Sequence, residues 1–212
     1  MKKEELTRLA ELGVATVYEA SGREGLIDSH LIQLLPGSRA AGPARTVLCG
    51  QDDNLMVHAV IEQIQPGEVL VLTMPEPAPV ALIGELLATQ IKVRGAAAIL
   101  VDAAIRDVEE LAKLGLPIWT RFIRAKGATK TKVGELNGII SIGGARISSS
   151  DIIVLDADGG VCVKREHAEE ILKAAEGRFE REARLREKLE ASETSYDLHG
   201  LREFVENNRR KL

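Results

Sequence analysis

Leu6, Leu9 and Leu12 recur at helical spacing and the pattern stops at Gly13, which predicts a first short helix over residues 3–12. A second helix begins near Ala15. The pattern then turns to strands: Pro36-Gly37 opens a turn, residues 44–48 form a short apolar strand, and Pro66-Gly67 precedes a clear β run over 68–73. The segment Met74-Pro-Glu-Pro-Ala-Pro79 carries three prolines in six residues, so it belongs in a loop on a rim. Next come a helix over about 85–94 ended by Gly95, a strand over 96–101, a loop through Arg106, a short helix ended by Gly115, and a strand from Leu116. Strands alternating with helices mark an α/β domain.

Beyond Gly127 the chain reads as short strands at 138–142, 151–155 and 161–163, joined by Gly-rich or Asp-Gly turns and closing the domain with a β layer. Residues 166–189 form a long charged helical pattern with opposite charges three and four apart, as on a solvated face. These signals place one α/β domain at 1–190 and a polar tail or docked helix at 191–212. Gly143-Gly144 with Ser148 to Ser150 lacks the lysine and following helix of a phosphate loop, so it reads as a tight β connection. Trp119 and Arg121 follow a strand near the rim and read as a packed edge.

Composition narrows the function. Of the 212 residues, 45% are hydrophobic, enough for one sizeable core, but only 3% are aromatic, which removes the stacking platforms of single-strand nucleic-acid binders. A formal charge of −4 has the wrong sign for phosphate-driven binding, so nucleic acid is excluded as a partner. No apolar run approaches a membrane span or a signal peptide, and the expected location is the cytosol. Cys49 and Cys162 sit in separate apolar segments and read as reduced core thiols. His30, His58, His167 and His199 stand apart from other ligands, which argues against a structural zinc site.

Simple geometry singles out one rim. A ten-residue helix from Glu85 runs roughly 15 Å away, and the strand over 96–101 returns roughly 20 Å in the opposite sense. Glu85, Arg106 and Asp107 should therefore meet, beside the free amides of Leu86 and Leu87. Helix N-terminal amides bind anions, a guanidinium can contact an enolate oxygen, and a carboxylate can hold a hard cation such as Mg²⁺ or Mn²⁺. Asp107 followed by Glu110 also matches a capping box, so both roles stay open for Asp107.

The run Gly84-Glu-Leu-Leu-Ala88, followed by Arg94-Gly-Ala-Ala-Ala-Ile-Leu-Val-Asp-Ala-Ala-Ile-Arg-Asp-Val-Glu-Glu-Leu111, resembles the RraA-like family, which joins 4-hydroxy-4-methyl-2-oxoglutarate aldolases to the regulator of ribonuclease activity A. The resemblance runs from about Gly13 through Asp156-Ala-Asp-Gly-Gly-Val-Cys-Val163 into the following helix. Its most specific element is an acid, twenty intervening residues and then Arg-Asp, met here by Glu85 and Arg106-Asp107.

The resemblance implies an α/β fold of the swivelling β/β/α type, assembled as a homotrimer or a dimer of trimers with sites at subunit interfaces. It implies a divalent-metal-dependent lyase that cleaves 4-hydroxy-2-oxo dicarboxylic acids or decarboxylates oxaloacetate through a metal-bound pyruvate enolate. Asp107 would ligate Mg²⁺ or Mn²⁺, and Arg106 would contact the pyruvyl C2 oxygen. The Leu86 and Leu87 amides would take the substrate carboxylate, with Gly84 also among the substrate-binding residues, and Glu85, often Asp in the family, would position a metal-bound water. The acceptor half of the substrate would be read by loops such as 74–79 and by a neighbouring subunit. The alternatives are a ring-shaped regulator that binds a ribonuclease, a kind of member that lacks the acid after the arginine, and a scaffold for small carboxylates.

Overall fold

One mixed sheet of nine strands organises the computed structural model, in which residues 1–209 are described. Its centre is parallel, with β2 (Ala40–Leu48), β3 (Val69–Thr73), β5 (Ala98–Ile105) and β6 (Ile118–Ile123) lying side by side in the order β2-β3-β5-β6. Every residue of β3 and β5 is buried, the pattern of parallel strands covered on both faces. Alternation divides them between two cores. Leu70, Leu72, Ile99 and Val101 pack with Val57, Leu87, Ile91 and Leu111, which come from α3 (Leu55–Val60), α4 (Glu85–Val93) and α5 (Val108–Leu114). Val69, Val71, Leu100 and Trp119 face the other way, toward Ile140, Ile147, Ile153 and Leu155.

The remaining strands close the edges. β1 (Ile32–Gln33) pairs antiparallel with β6, β4 (Ala81–Ile83) runs parallel to the last residues of β5, and β7 (Glu135–Leu136) pairs with β2. β8 (Ile140–Ile142) and β9 (Ala145–Ile147) form a hairpin through Gly143 and Gly144, both at positive φ, the tight connection that the sequence predicts. β10 (Ile152–Asp156) and β11 (Gly159–Val163) form a second hairpin, laid antiparallel on the first half of β2. α1 (Lys3–Leu12), α2 (Val14–Ala20) and the start of α6 (Ala168–Glu190) enclose a third core around Leu9, Val17, Val154, Val161 and Ala175. This is the α/β architecture expected from the alternation of strands and helices.

Several boundaries differ from the sequence expectation; β2, for one, begins at Ala40 rather than Ala44. The strand expected at 96–101 runs on to Ile105, so Asp102 is not in a loop but inside β5, where only 2% of its side chain is exposed. Its carboxylate accepts a hydrogen bond from Arg121 Nη1 at 3.0 Å, and that partner is what allows an acid inside a buried strand. The expected helix at 166–189 begins as a 3₁₀ turn at Arg165–His167 and continues as α6. The thiols of Cys49 and Cys162 are free and buried, and each is pushed up to about 12, by burial first and then by Asp53 and Asp151 respectively.

The described chain divides into two compact units, Met1–Ala175 and a smaller one from Glu176 onward. The smaller unit holds the charged end of α6, where Arg178 and Glu182 pair at 2.8 Å, then α7 (Ser195–Leu198), capped by the Thr194 hydroxyl, and α8 (Leu201–Arg209). The end of the predicted polar segment, residues 210–212, lies outside the described residues. Among the described residues no helix is long and apolar enough to cross a membrane.

The single tryptophan, Trp119, is fully buried and its indole N–H donates to the Asp156 carbonyl at 2.7 Å. Trp119→Phe should remove that bond and leave a small void beside it, lowering the unfolding free energy by about 1–3 kcal/mol. Urea denaturation followed by circular dichroism checks this, and an unchanged midpoint would show that the bond contributes nothing.

Candidate active site

Parallel pairing of β4 with β5 brings the predicted rim together. Ile83 pairs with Ile105, and the Arg106 N–H donates to the Ile83 carbonyl at 3.0 Å, so the residues following each strand emerge side by side at their carboxyl ends. Gly84-Glu85 opens α4 there, and Arg106-Asp107 opens α5 beside it.

Asp107 occupies the N-cap position of α5, but its side chain makes no capping bond, so the expected capping box does not form. The residue is held at φ 59°, ψ 43°, a left-handed conformation that Asp tolerates better than most residues. Its carboxylate is turned toward α4 instead, where Oδ2 accepts from the Glu85 N–H at 3.1 Å and lies 3.6 Å from Arg106 Nε. The side chains of Arg106 and Asp107 are 50% and 42% exposed, open to a ligand from solvent. Gly84 permits this approach, because a Cβ there would lie 2.5 Å from Asp107 Oδ2.

A cavity of about 230 Å³ lies at this rim. Gly84, Leu86, Leu87, Arg106 and Asp107 line it, together with Asn54, His58, Ala128 and Lys130, which the sequence reading did not single out. Of the predicted residues, Glu85 alone is not part of the lining. Its carboxylate accepts from Thr89 Oγ1 at 3.1 Å, one turn along the same helix. Trp119 and Arg121 are committed to the core and to Asp102, in keeping with a packed edge. The wall opposite the α4 terminus comes from α3 and the segment around 128–130 rather than from 74–79.

That wall is anchored by Asp53, which is fully buried. Its Oδ2 accepts from Thr129 Oγ1 at 2.6 Å, Thr131 N at 2.6 Å and Lys132 N at 3.1 Å, while Oδ1 accepts from Leu55 N at 2.8 Å. Burial raises this carboxyl, but the four hydrogen bonds outweigh it and hold the group well below the ordinary range. The His58 imidazole is lowered by partial loss of solvent first and then by the Lys130 ammonium, both of which favour its neutral form. The one available signal was Asp53-Asn54 ahead of an apolar stretch, a helix-start pattern.

With Arg106 and Lys130 against Asp107, the lining favours an anion. Among the described residues no three His, Cys, Asp or Glu side chains gather to hold a metal, and Asp107 is the one carboxylate in the lining of this cavity that could ligate a hard cation.

The model of the RraA-like family, described as Aldolase/RraA, matches residues 14–162. A protein of Halalkalibacterium halodurans named "Putative 4-hydroxy-4-methyl-2-oxoglutarate aldolase" is 34% identical over 164 residues, 76% of this chain and 78% of that protein. The crystal structure of Streptomyces coelicolor RraAS2, described as an unusual member of the RNase ES inhibitor RraA protein family, is similar with a TM-score of 0.76 and 29% identity, covering 88% of this chain and 97% of that one. An uncharacterized protein from Pseudomonas syringae shares the fold, with a TM-score of 0.81, 21% identity, and 92% and 96% of the two chains covered.

The Asp53 carboxylate should stabilise the fold above the ordinary aspartate value near 3.9, a contribution lost as pH falls through that value toward the lower one of the folded state. Asp53→Asn should therefore cost about 1.5–3 kcal/mol at neutral pH, with the gap narrowing below about pH 4. Urea denaturation of both proteins at pH 7 and pH 3 decides it, and a gap independent of pH would refute the assignment.

Proposed function

Because the chain belongs to the RraA-like family, we propose that this cavity is the site of a divalent-metal-dependent carbon–carbon lyase. Its substrates are 4-hydroxy-2-oxo acids, cleaved by retro-aldol chemistry to pyruvate, and oxaloacetate, which it decarboxylates. The carrying observation is the Asp107 carboxylate, released from its own helix and set 3.6 Å from Arg106 at the amide end of α4. The curated relative named as an aldolase supports the same reading.

An exposed carboxylate without a soft neighbour suits a hard cation, so Asp107 would hold Mg²⁺ or Mn²⁺. Bound there, the cation supplies Lewis-acid polarisation of the 2-oxo group. The Leu86 and Leu87 amides lie in the first turn of α4 and lack intrahelical acceptors, so they take the substrate carboxylate. Arg106 stabilises the C2 oxygen as negative charge develops on it. In the cleavage the 4-hydroxyl passes its proton to a water in the cavity, the C3–C4 bond breaks and C4 becomes a carbonyl. The electron pair passes to C3 and the C2 oxygen as an enolate, and a proton delivered to C3 completes pyruvate. In oxaloacetate the same bond breaks with loss of CO₂ and gives the same enolate. Glu85, whose carboxylate accepts from Thr89 outside the cavity, would turn into it to hold the water that carries protons to and from C3. The active form is a homotrimer or a dimer of trimers whose neighbouring subunits complete the site.

The likeness to RraAS2, whose family is described as RNase ES inhibitors, favours a second reading in which the chain binds a ribonuclease and turns nothing over. Asp107 weighs against it, because the resemblance drawn from the sequence gives such regulators no acid after the arginine.

Asp107→Ala should reduce Mg²⁺-dependent oxaloacetate decarboxylation to background while costing only about 0.5–1.5 kcal/mol of stability, the worth of the bond from the Glu85 amide. Arg106→Lys should slow both decarboxylation and retro-aldol cleavage about a hundredfold, because an ammonium keeps the charge but loses the planar fork. Steady-state assays with both substrates test this. Full turnover by the Asp107 variant would sink the site, and capture of a ribonuclease by a protein inert toward both acids would establish the regulator.

A further inference from the structure

We propose that Gly127 is a positioning residue, keeping open the space that the Arg106 guanidinium must occupy for the chemistry assigned above, on which this role rests. A Cβ at Gly127 would lie 2.7 Å from Arg106 Nη1 and 3.7 Å from its Cζ, and it would meet nothing else within 4 Å.

The backbone does not itself require glycine at this position. Gly127 is absent from the positive-φ residues and forms a parallel bridge with Ala81, an extended setting in which glycine is less favourable than alanine. The missing side chain is therefore explained by the guanidinium.

Gly84 closes the other side of the same slot. It is extended, at φ −133°, and a Cβ there would lie 3.1 Å from Arg106 Nε and 3.3 Å from Arg106 Cγ. The two glycines thus flank the near and far ends of one side chain. Arg106 has little else to hold it, since its charged neighbour among the described residues is Asp107, at 3.6 Å. Shape, more than charge, sets where the guanidinium points.

Nor can Gly127 retreat from a side chain added to it. On one side the Lys126 carbonyl accepts from the Ala81 N–H at 2.7 Å. On the other the buried Asp53 carboxylate grips Thr129, Thr131 and Lys132. With the segment pinned at both ends, the guanidinium must yield, and it is the far end of a flexible chain on the surface. The fold loses little while the position of Nη1 is lost.

The test is Gly127→Ala, in the parent and in Arg106→Lys. Lysine has no atom corresponding to Nη1, so the added methyl group has nothing to displace in that background. In the parent, kcat for oxaloacetate decarboxylation should fall at least tenfold with the melting temperature unchanged within a few degrees; in Arg106→Lys the same change should move kcat by less than twofold. An equal loss in both backgrounds, or a parent variant within twofold of the original kcat, would overturn the proposal. A crystal structure of Gly127→Ala supplies a readout independent of turnover. A guanidinium displaced from the slot supports the positioning role even if the parent protein proves inert and the lyase reading fails, whereas an unmoved guanidinium overturns it.

Discussion

The hydrogen bond from the Arg106 N–H to the Ile83 carbonyl, 3.0 Å long, is the point on which the site depends. It extends the parallel pairing of β4 and β5 by one step, so two strands that reach the same edge release their next residues together. Gly84 and Glu85 then start one helix beside Arg106 and Asp107, which start another. Without that register the amides of α4 and the carboxylate of Asp107 would serve different parts of the surface. The strength of the arrangement lies in the strands behind it, because β5 is buried throughout and cannot slip by one residue without turning an apolar set against the opposite core.

Asp107 shows how local and tertiary demands were traded. Its neighbours spell a capping box, the arrangement that sequence alone makes most economical, yet the chain enters α5 through a left-handed residue and presents the carboxylate elsewhere. One amide at the start of α4 is satisfied by it, at 3.1 Å. Half-exposed and flanked by a guanidinium, the carboxylate remains available to a cation. Asp53 is the counterpart deep in the protein: wholly buried, saturated by four hydrogen bonds, and used to fix a wall rather than to meet a ligand.

Much of this was legible in the sequence, and the failures have physical causes. The meeting of Glu85, Arg106 and Asp107 followed from helix and strand rise, because α4 leads into β5 through a short turn, although β5 is irregular between Val101 and Ala104 and runs further than expected. The end of β5 was misplaced because Asp102 looks like a loop residue until its partner Arg121, distant in sequence, is known. α3, its N-cap Asn54 and Lys130 escaped notice for a related reason, and His58 within α3 was read only as standing apart from other metal ligands. A six-residue helix carries too little periodicity to stand out, and Lys130 reaches the cavity only because a buried aspartate draws its segment there. The role of Gly127 was invisible in the sequence, since a glycine kept for the sake of another side chain looks like any other turn residue.

In the lyase reading this rim stabilises the enolate of pyruvate, whichever group departs from C3. Proton NMR of pyruvate in D₂O with Mg²⁺ and the purified protein tests it without knowledge of the physiological acceptor. The methyl signal should fade as its protons exchange with solvent, and omission of the metal should prevent the loss. A methyl signal that persists unchanged beside a protein-free control, with metal binding confirmed by calorimetry, would contradict it.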